Sequence, residues 1–496
     1  MVVTMINNVL FGGCRHVVAK KIQVTKVTTS ELYAPCFVSM ATGRSMKAKL
    51  FIFLLLPILL SAPGFAFGSD LPETWTVRRA IEFARQNNPD RQLAVQRILQ
   101  ADAMVQKAAA GFYPQVELFG SYSQTNNPMY SFGNILNQGE FAPGVDFNDP
   151  GRTDNFGLGA GVTYRFYNGG QDLALENAAK AGVNLSSAEG DAVTLWLDFE
   201  VFQSFQKIIE AGMVIRARQK ALEAISSSLA VAQARFDAGD LFKHDLLNLE
   251  VEKSQATENL VQARHDLEIA KRVLLTLLGL HGDDLQVEVE NDERPVPPGD
   301  PSPAQRPELK RLTAALQAAE SRLAAARGSR LPTVNGFARY SYDQGTIFDG
   351  HGDSWSAGIN VNFKLFDGHQ SAADIALAEA QLRALRAEQK KLELALNLEV
   401  SRAKLTLESV RQRQQVTQKR VAQAVASESL MKSRFDAGAL LVSELIDSEN
   451  RLTDARVHDA LSTSALAVSI ADLRRAAGLP IFDHPEGNPT TTETQP

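Results

Sequence analysis

The sequence Arg-Phe-Asp-Ala-Gly occupies residues 235–239 and returns at residues 434–438, an offset of 199 positions. The same offset aligns Val-Thr-Tyr-Arg-Phe-Tyr-Asn-Gly at 162–169 with Val-Asn-Phe-Lys-Leu-Phe-Asp-Gly at 361–368. The alignment between these points needs no gap. Two co-linear copies of this length indicate a duplicated chain, in which each copy folds in the same order.

The repeats differ in length upstream. Asn-Pro-Asp at 88–90 matches Arg-Pro-Glu at 306–308 with an offset of 218, so the first repeat carries 19 additional residues. These fall within residues 126–154, whose Asn, Gly and Pro content predicts an outward-facing loop. Residues 290–307 hold six prolines, which predicts a linker.

These boundaries divide the chain. We expect a first repeat at residues 72–288, a linker at 289–306, a second repeat at 307–480 and a disordered tail at 481–496.

The sequence of each repeat predicts the same order of elements, which is a helix, two strands, a long helix and a return helix. The strands alternate between apolar and polar residues, as Trp355, Ile359 and Val361 do against Ser356 and Asn360. A half-buried sheet in a soluble protein is an alternative, because strand alternation is a weak membrane signal.

The long helices are stronger evidence. Residues 171–236 and 370–435 each run 66 residues without proline, which predicts rods roughly 99 Å long. Apolar residues in the second rod step by four and three, the spacing of a coiled-coil seam. The seam residues are Leu392, Leu396, Val400, Ala403, Leu407 and Val410.

The return helices, predicted at 243–280 and 442–479, are too short to pair with a whole rod. We expect a 22-residue helix at 307–328 to extend the first stack, and one at 89–110 to extend the second. Each chain would then supply four rods and four strands.

Four strands cannot close a barrel, and an open sheet would leave unpaired edges in hydrocarbon. An oligomer is therefore required, and three copies would give twelve strands, an even number known for outer-membrane barrels. The predicted fold class is mostly α with a small β part.

The N-terminal region predicts export. Residues 46–68 combine a basic start, an apolar run shorter than a membrane span, and small residues for cleavage, which is typical of a signal peptide. Residues 1–45 are then expected to be an extension upstream of the true start. Cys14 and Cys36 both lie in that extension.

Several function classes receive no support. The net charge of −6 offers no basic excess for nucleic acid. We find no nucleophile elbow, phosphate loop or paired metal ligands, and the eight histidines are scattered. We therefore expect a protein without catalysis, cofactor or metal.

The duplicated order, the strand pairs ending in aromatic-Asn/Asp-Gly and the two Arg-Phe-x-x-Gly turns resemble the TolC family of outer-membrane efflux proteins. The resemblance covers residues 73–479. It implies a homotrimer with a barrel of 12 strands in the Gram-negative outer membrane and a helical tunnel reaching into the periplasm. It also implies passive export of solutes or polypeptides, with a periplasmic adaptor and an inner-membrane pump or ABC transporter as partners.

The resemblance implies three sets of site residues. The adaptor would contact the tip turns at Arg235, Phe236, Gly239, Arg434, Phe435 and Gly438. The pore constriction would carry Glu444 and Asp447. Outer-membrane lipid would contact the strand residues Leu158, Val162, Tyr164, Phe166, Trp355, Ile359, Val361, Phe363 and Leu365.

Three points qualify these assignments. Both tip glycines are expected either to have positive φ or to allow close approach of another backbone segment. Leu440 departs from better-known members, which have a basic residue there that can lock the aperture. A solvated helix face remains the alternative for Glu444 and Asp447.

A soluble periplasmic coiled-coil scaffold or adaptor is the alternative function. Such a protein would bury the apolar faces of the strands in its own core, whereas a channel would expose them to lipid.

Overall fold

The computed structural model describes residues 74–282, 285–287 and 293–483. All of these belong to one unit, residues 72–496. The predicted signal peptide, the N-terminal extension with its two cysteines, and most of the predicted tail lie outside the described residues.

The described residues form eight α-helices and four β-strands, mostly helix with a small sheet, which confirms the predicted class. In chain order they are α1 (Val77–Asn87), α2 (Pro89–Ala109), β1 (Gln115–Thr125), α3 (Pro128–Asn137), β2 (Thr153–Tyr167), α4 (Gln171–Asp237), α5 (Lys243–Leu278), α6 (Pro307–Gly328), β3 (Thr333–Gln344), β4 (His351–Asn362), α7 (Gln370–Asp436) and α8 (Val442–Ala476).

The two long rods, α4 and α7, have 67 residues each. The seam predicted in α7 is buried at Leu396, Val400, Ala403, Leu407 and Val410. Its middle part packs against Ile470 and Leu473 of α8. The stepped apolar pattern therefore identified the face that α7 turns toward its neighbour in the same chain.

The helices form a wall in which α4 is central. In one half of the wall α7 packs against α8, α8 against α4, and α4 against α5. In the other half α7 packs against α6, α6 against α4, and α4 against α2. The wall of one chain consequently has α7 at one edge and α2 with α5 at the other.

The predicted stacking of the short helices was wrong. Asn88, just before α2, donates from Nδ2 to the carbonyl of Leu277 at the end of α5, at 2.9 Å. Arg306, just before α6, donates from Nη1 to the carbonyl of Arg475 at the end of α8, also at 2.9 Å. Each short helix thus continues the return helix of its own repeat, because the residue before its proline satisfies the final carbonyls of that helix.

The predicted loop at 126–154 was also wrong in part. Its first third forms helix α3, with Asn127 as the N-cap accepting from the backbone of Met129 and Pro128 at the first helical position. These are strong helix-start signals, which the Asn, Gly and Pro composition of the whole segment concealed.

The principal core lies beside the middle of the wall. Leu197, Val201, Phe202 and Phe205 of α4 are at most 1% exposed and pack with α1, the end of α5, α8 and Ile481. This cluster fixes the wall at mid-height. Its position leaves the sheet at one end of the rods and the Arg-Phe-Asp-Ala-Gly turns at the other.

Candidate functional site

The sheet has the order β1-β2-β3-β4, and all three pairs are antiparallel. Its register brings the apolar positions of the four strands onto one face. Ala160, for example, lies opposite Leu118 on one side and Tyr340 on the other, and Tyr340 lies opposite Trp355. The apolar face is therefore continuous from edge to edge.

The residues predicted to contact lipid belong to this face or to its margin. Their side chains are exposed in the single chain, from 37% at Tyr164 to 87% at Leu365. Phe363 and Leu365 lie beyond Asn362, the last residue of β4, so their assignment to the strand was wrong. Phe166 is the extra residue of a bulge opposite β3, between Arg165 and Tyr167.

The opposite face of the sheet is polar. Arg339 lies 3.3 Å from Glu117 across the sheet and stacks over the ring of Phe119, with 4.6 Å between its Cζ and the ring centroid. Ser341, Ser354 and Ser356 share this face by their register. The sheet thus separates a polar side from an apolar side, although both are open to solvent in the single chain.

The two tip turns share a backbone geometry. Gly239 and Gly438 have φ values of 85° and 74°, as expected from the sequence. In each turn the glycine amide donates to the Phe carbonyl, and the next amide donates to the Arg carbonyl, at 2.8 to 3.0 Å. These bonds satisfy the last carbonyls of α4 and α7, and the left-handed glycine allows the chain to reverse.

The side chains of the two turns differ. Phe435 is fully buried with Leu246, Leu249, Val442 and Leu445. Phe236 and Arg235 are half-buried, whereas Arg434 is exposed. Since Phe435 faces inward, it supports the turn from within. The solvent-facing surface of the tip is formed by the other turn residues, such as Arg434.

Glu444 and Asp447 are both exposed in the first two turns of α8. Their separation of three residues places them on neighbouring positions of one face, away from the buried Leu445 and Leu452. Asp447 lies 3.6 Å from Arg451, which is itself 77% exposed. Leu440 is half-buried against the tip cluster and contributes to packing.

Glu449 of α8 is a further candidate, which was not among the predicted site residues. Its side chain is 4% exposed, and its Oε1 accepts a hydrogen bond from Ser228 Oγ of α4 at 2.9 Å. Its Oε2 is buried without a hydrogen-bond partner. Burial raises the pKa of Glu449 to about 7, against the lowering effect of Ser228; Glu428 and Glu252 raise it and Lys432 lowers it.

The sequence did contain a signal for this residue. Glu449 follows Leu445 by four positions and precedes Leu452 by three, which is the spacing of the buried seam. A carboxylate at a seam position predicts either a buried partner or a raised pKa.

Among the described residues no cluster of His, Cys, Asp and Glu could hold a metal ion. Within the same residues no helix is both long and apolar enough to cross a membrane.

The duplicated architecture agrees with a known family. A sequence model described as outer membrane efflux protein matches residues 80–280 and 302–479, one segment for each repeat. The chain belongs to the outer membrane efflux protein family.

Curated relatives in this family are distant. The chain is 23% identical to the cation efflux system protein CusC of Escherichia coli K12, over 77% of this chain and 81% of that protein. It is 25% identical to CyaE of Bordetella pertussis, over 80% and 83%. The outer membrane efflux protein BepC of Brucella suis matches 52% of this chain at 23% identity, and the match spans 58% of BepC.

Solved structures of family members share the fold. A crystal structure of CusC aligns with a TM-score of 0.71 at 20% identity, over 81% of this chain and 92% of that one. The CmeC outer membrane channel of Campylobacter jejuni aligns with a TM-score of 0.70 at 17% identity, over 83% and 90%. These structures show the TolC-like fold, and the family match supports an outer-membrane location for this efflux protein.

Proposed function

We propose that three copies of this chain form a continuous channel, which passively conducts solutes or polypeptides across the outer membrane without catalysing a reaction. The observation that carries this proposal is the sheet with one continuous apolar face and two free edges, joined to a helical wall that also has two free edges.

The sheet argues for closure by other copies. β1 and β4 are the edge strands, and each presents a row of unpaired backbone groups. Pairing β4 of one copy with β1 of the next removes these edges, and three copies give a barrel of twelve strands. The apolar face would then contact lipid, and the polar face would line the lumen.

The helical wall argues for the same neighbours. On α7, a second apolar stripe is 50% to 73% exposed and lies roughly opposite the buried seam, at 100° per residue. Its members are Leu394, Leu398, Leu405, Val416 and Leu430. The opposite edge exposes Leu93 and Met104 of α2, and Leu247, Val251 and Val261 of α5.

Charge supports pairing these two edges. Residues 383–420 of α7 carry ten Lys or Arg and four Asp or Glu. Residues 245–268 of α5 carry only two Lys or Arg and six Asp or Glu. Because the two edges differ, contact between them is head-to-tail. Such an interface forms a closed ring when the rotation from one copy to the next adds up to a full turn. Three copies meet the requirement of the sheet as well.

The tip turns would then lie at the periplasmic end, where we propose that the adaptor contacts Arg235, Phe236, Gly239, Arg434 and Gly438. The buried Phe435 would support this surface from within. Glu444 and Asp447 would face the lumen as two acidic rings that favour cations. An inner-membrane pump or ABC transporter would select the cargo before it enters the tunnel.

The test is oligomeric state with a matched pair of variants. We expect the protein purified from outer membranes to run on unheated gels near three times the monomer mass, and to conduct ions in planar bilayers. Leu398→Asp/Leu405→Asp should dissociate it, whereas Val296→Asp, at a residue 62% exposed and outside both edges, should not. A soluble monomer without conductance would contradict the channel and favour the periplasmic scaffold.

A further inference from the structure

Helix α3 is a feature of the sheet that the tunnel does not explain. It follows β1 directly, and Ser131 Oγ donates to the carbonyl of Thr125 at 3.1 Å. It then crosses β2, where Asn134 Nδ2 donates to Thr153 Oγ1 at 3.0 Å and Gln138 Nε2 donates to Asn155 Oδ1 at 2.9 Å. Thr153 and Asn155 belong to the polar face, so α3 lies on that side of the sheet.

The end of α3 reaches the far strand. A Cβ built on Gly352, a polar-face position of β4, would lie 2.3 Å from the carbonyl oxygen of Asn137. At Gly350 it would lie 2.6 Å from the carbonyl oxygen of Gln138. Only glycine fits at these two positions, because the backbone at the end of α3 occupies the space that a side chain would need.

The dimensions of α3 fit this course. Ten helical residues span about 15 Å. The three gaps between four strands span about 14 Å. Helix α3 is therefore long enough to cross the four strands of its own chain from β1 to β4.

The face of α3 that lies opposite the sheet is apolar. Ser131, Ile135 and Gln138 are at most 1% exposed and face the sheet. Met129 and Leu136, on the other side of the helix, are 82% and 50% exposed. They project away from the polar face of the sheet, toward the space that a closed barrel would enclose.

We propose that three α3 helices line the outer mouth of the channel and form an apolar constriction there, bounded by Met129 and Leu136. This inference rests on the proposed trimeric channel and adds a second barrier, far from the acidic rings at the tip. It assigns the 19 residues inserted in the first repeat a function: excluding bulky hydrophilic solutes that approach from outside.

The size of the barrel supports a narrow opening. Twelve strands spaced by 4.8 Å and tilted by about 40° enclose a circle roughly 25 Å across. Three helices about 10 Å thick, each lying against the wall, leave a central opening about 5 Å across. An apolar ring of that width resists wetting, and so it restricts passage more than a polar ring of equal width.

The experiment measures access from outside in intact cells. The reporter is Ser356→Cys, with Cys14 and Cys36 replaced by Ser. Ser356 is on the polar face of β4, five residues from His351 and therefore about 17 Å inward along the strand. Cells are treated with a small charged maleimide and with a bulky polyethylene-glycol maleimide, and the rate of labelling is measured for each.

We expect the small reagent to label the reporter and the bulky reagent to label it slowly. Met129→Ala/Leu136→Ala should raise the rate of labelling by the bulky reagent about tenfold or more. Met129→Glu/Leu136→Glu should also raise this rate, because charged side chains would hydrate the ring. The matched control Asn137→Ala changes an exposed residue of the same helix and should leave the rate unchanged.

Two results would overturn the inference, and they have different meanings. Equal bulky labelling in all variants would show that α3 does not constrict the mouth, while the channel itself would stand. Absence of labelling by the small reagent in every variant would show that the polar face is not lumenal, which would also contradict the proposed channel.

Discussion

Arg235 of the first turn holds Phe435 of the second, its Nη1 donating to the Phe435 carbonyl at 3.1 Å. The Arg235 Cζ also lies 5.4 Å from the centroid of the Phe435 ring. The two turns have identical sequences, yet the first provides the donor and the second provides the buried acceptor. This contact joins the tip of the α4–α5 pair to the tip of the α7–α8 pair.

Arg235→Ala should loosen the tip. The variant loses one hydrogen bond from a charged donor and one cation–π contact, together about 2 kcal/mol. A loss of this size changes the ratio of open to closed tips by a factor of roughly 30. Single-channel recordings should show a larger or more frequent open state.

Arg434→Ala is the matched control, because Arg434 occupies the equivalent position but is exposed. Its recordings should resemble those of the unaltered protein. Equal effects of the two substitutions would contradict a specific latch at Arg235.

Glu444→Gln/Asp447→Asn should reduce cation selectivity. In a trimer the change removes six carboxylates from the proposed constriction, where negative potential concentrates cations. Reversal potentials across a salt gradient should shift toward zero. Glu250→Gln, an exposed carboxylate of α5 near the same end, should have little effect, and unchanged selectivity in the double variant would assign Glu444 and Asp447 to an outer, solvated face.

Gly239→Trp/Gly438→Trp should abolish capture of the adaptor. A tryptophan at φ of 85° or 74° strains the turn and places a bulky ring on the proposed contact surface. The measurement is co-purification with the adaptor. Gly144→Trp, where a Cβ meets nothing within 4 Å, controls for a new surface tryptophan, and normal capture by the double variant would remove the turns from the interface.

The sequence predicted the features that depend on local pattern. The rods, the α7 seam, the strand faces and the reversal at Gly239 and Gly438 all follow from periodicity or from backbone sterics. Helix α6 begins and ends where Pro307 and Gly328 predicted. Such features need no knowledge of distant contacts.

The error in helix stacking concerns contacts between distant segments, whereas α3 was missed despite local helix-start signals at Asn127 and Pro128. The stacking of α2 on α5 depends on the hydrogen bond from Asn88 to Leu277, and nothing in the local sequence predicts which helix end a side chain will reach. Glu449 occupies a seam position, which predicts burial, but the local sequence does not show that its partner is Ser228 of α4. Phe435 and Phe236 differ in burial although their local sequences are identical.

Arg306→Ala should destabilise the protein strongly. Arg306 is 5% exposed and bonds Glu308, Glu399 and the Arg475 carbonyl. Its removal leaves Glu308 and the end of α8 without this partner, although Glu399 keeps its ion pair with Arg475, and the cost is about 3 kcal/mol. Thermal unfolding should occur several degrees lower, whereas Arg311→Ala, which removes a half-exposed pair with Glu189, should change little.

Glu449 should make the tip less stable as pH rises. Its pKa in the folded protein, about 7, is above the ordinary value of 4.5, so the folded state holds the proton more tightly. The stability is fully present below about pH 4.5 and falls as pH rises through 7, by at most about 3 kcal/mol per chain. Above pH 7 the buried carboxylate is ionised, and Glu428 and Glu252 repel it.

Glu449→Gln separates this effect from other titrations. Glutamine keeps the shape and can still accept from Ser228, but it carries no charge. The variant should match the unaltered protein at pH 5 and exceed its stability at pH 8, which thermal unfolding across that range would measure. Glu250→Gln should retain the original pH dependence. If Glu449→Gln retained it too, the ionisation of Glu449 would not control tip stability, because its carboxyl would then have the same pKa in the folded and unfolded chains.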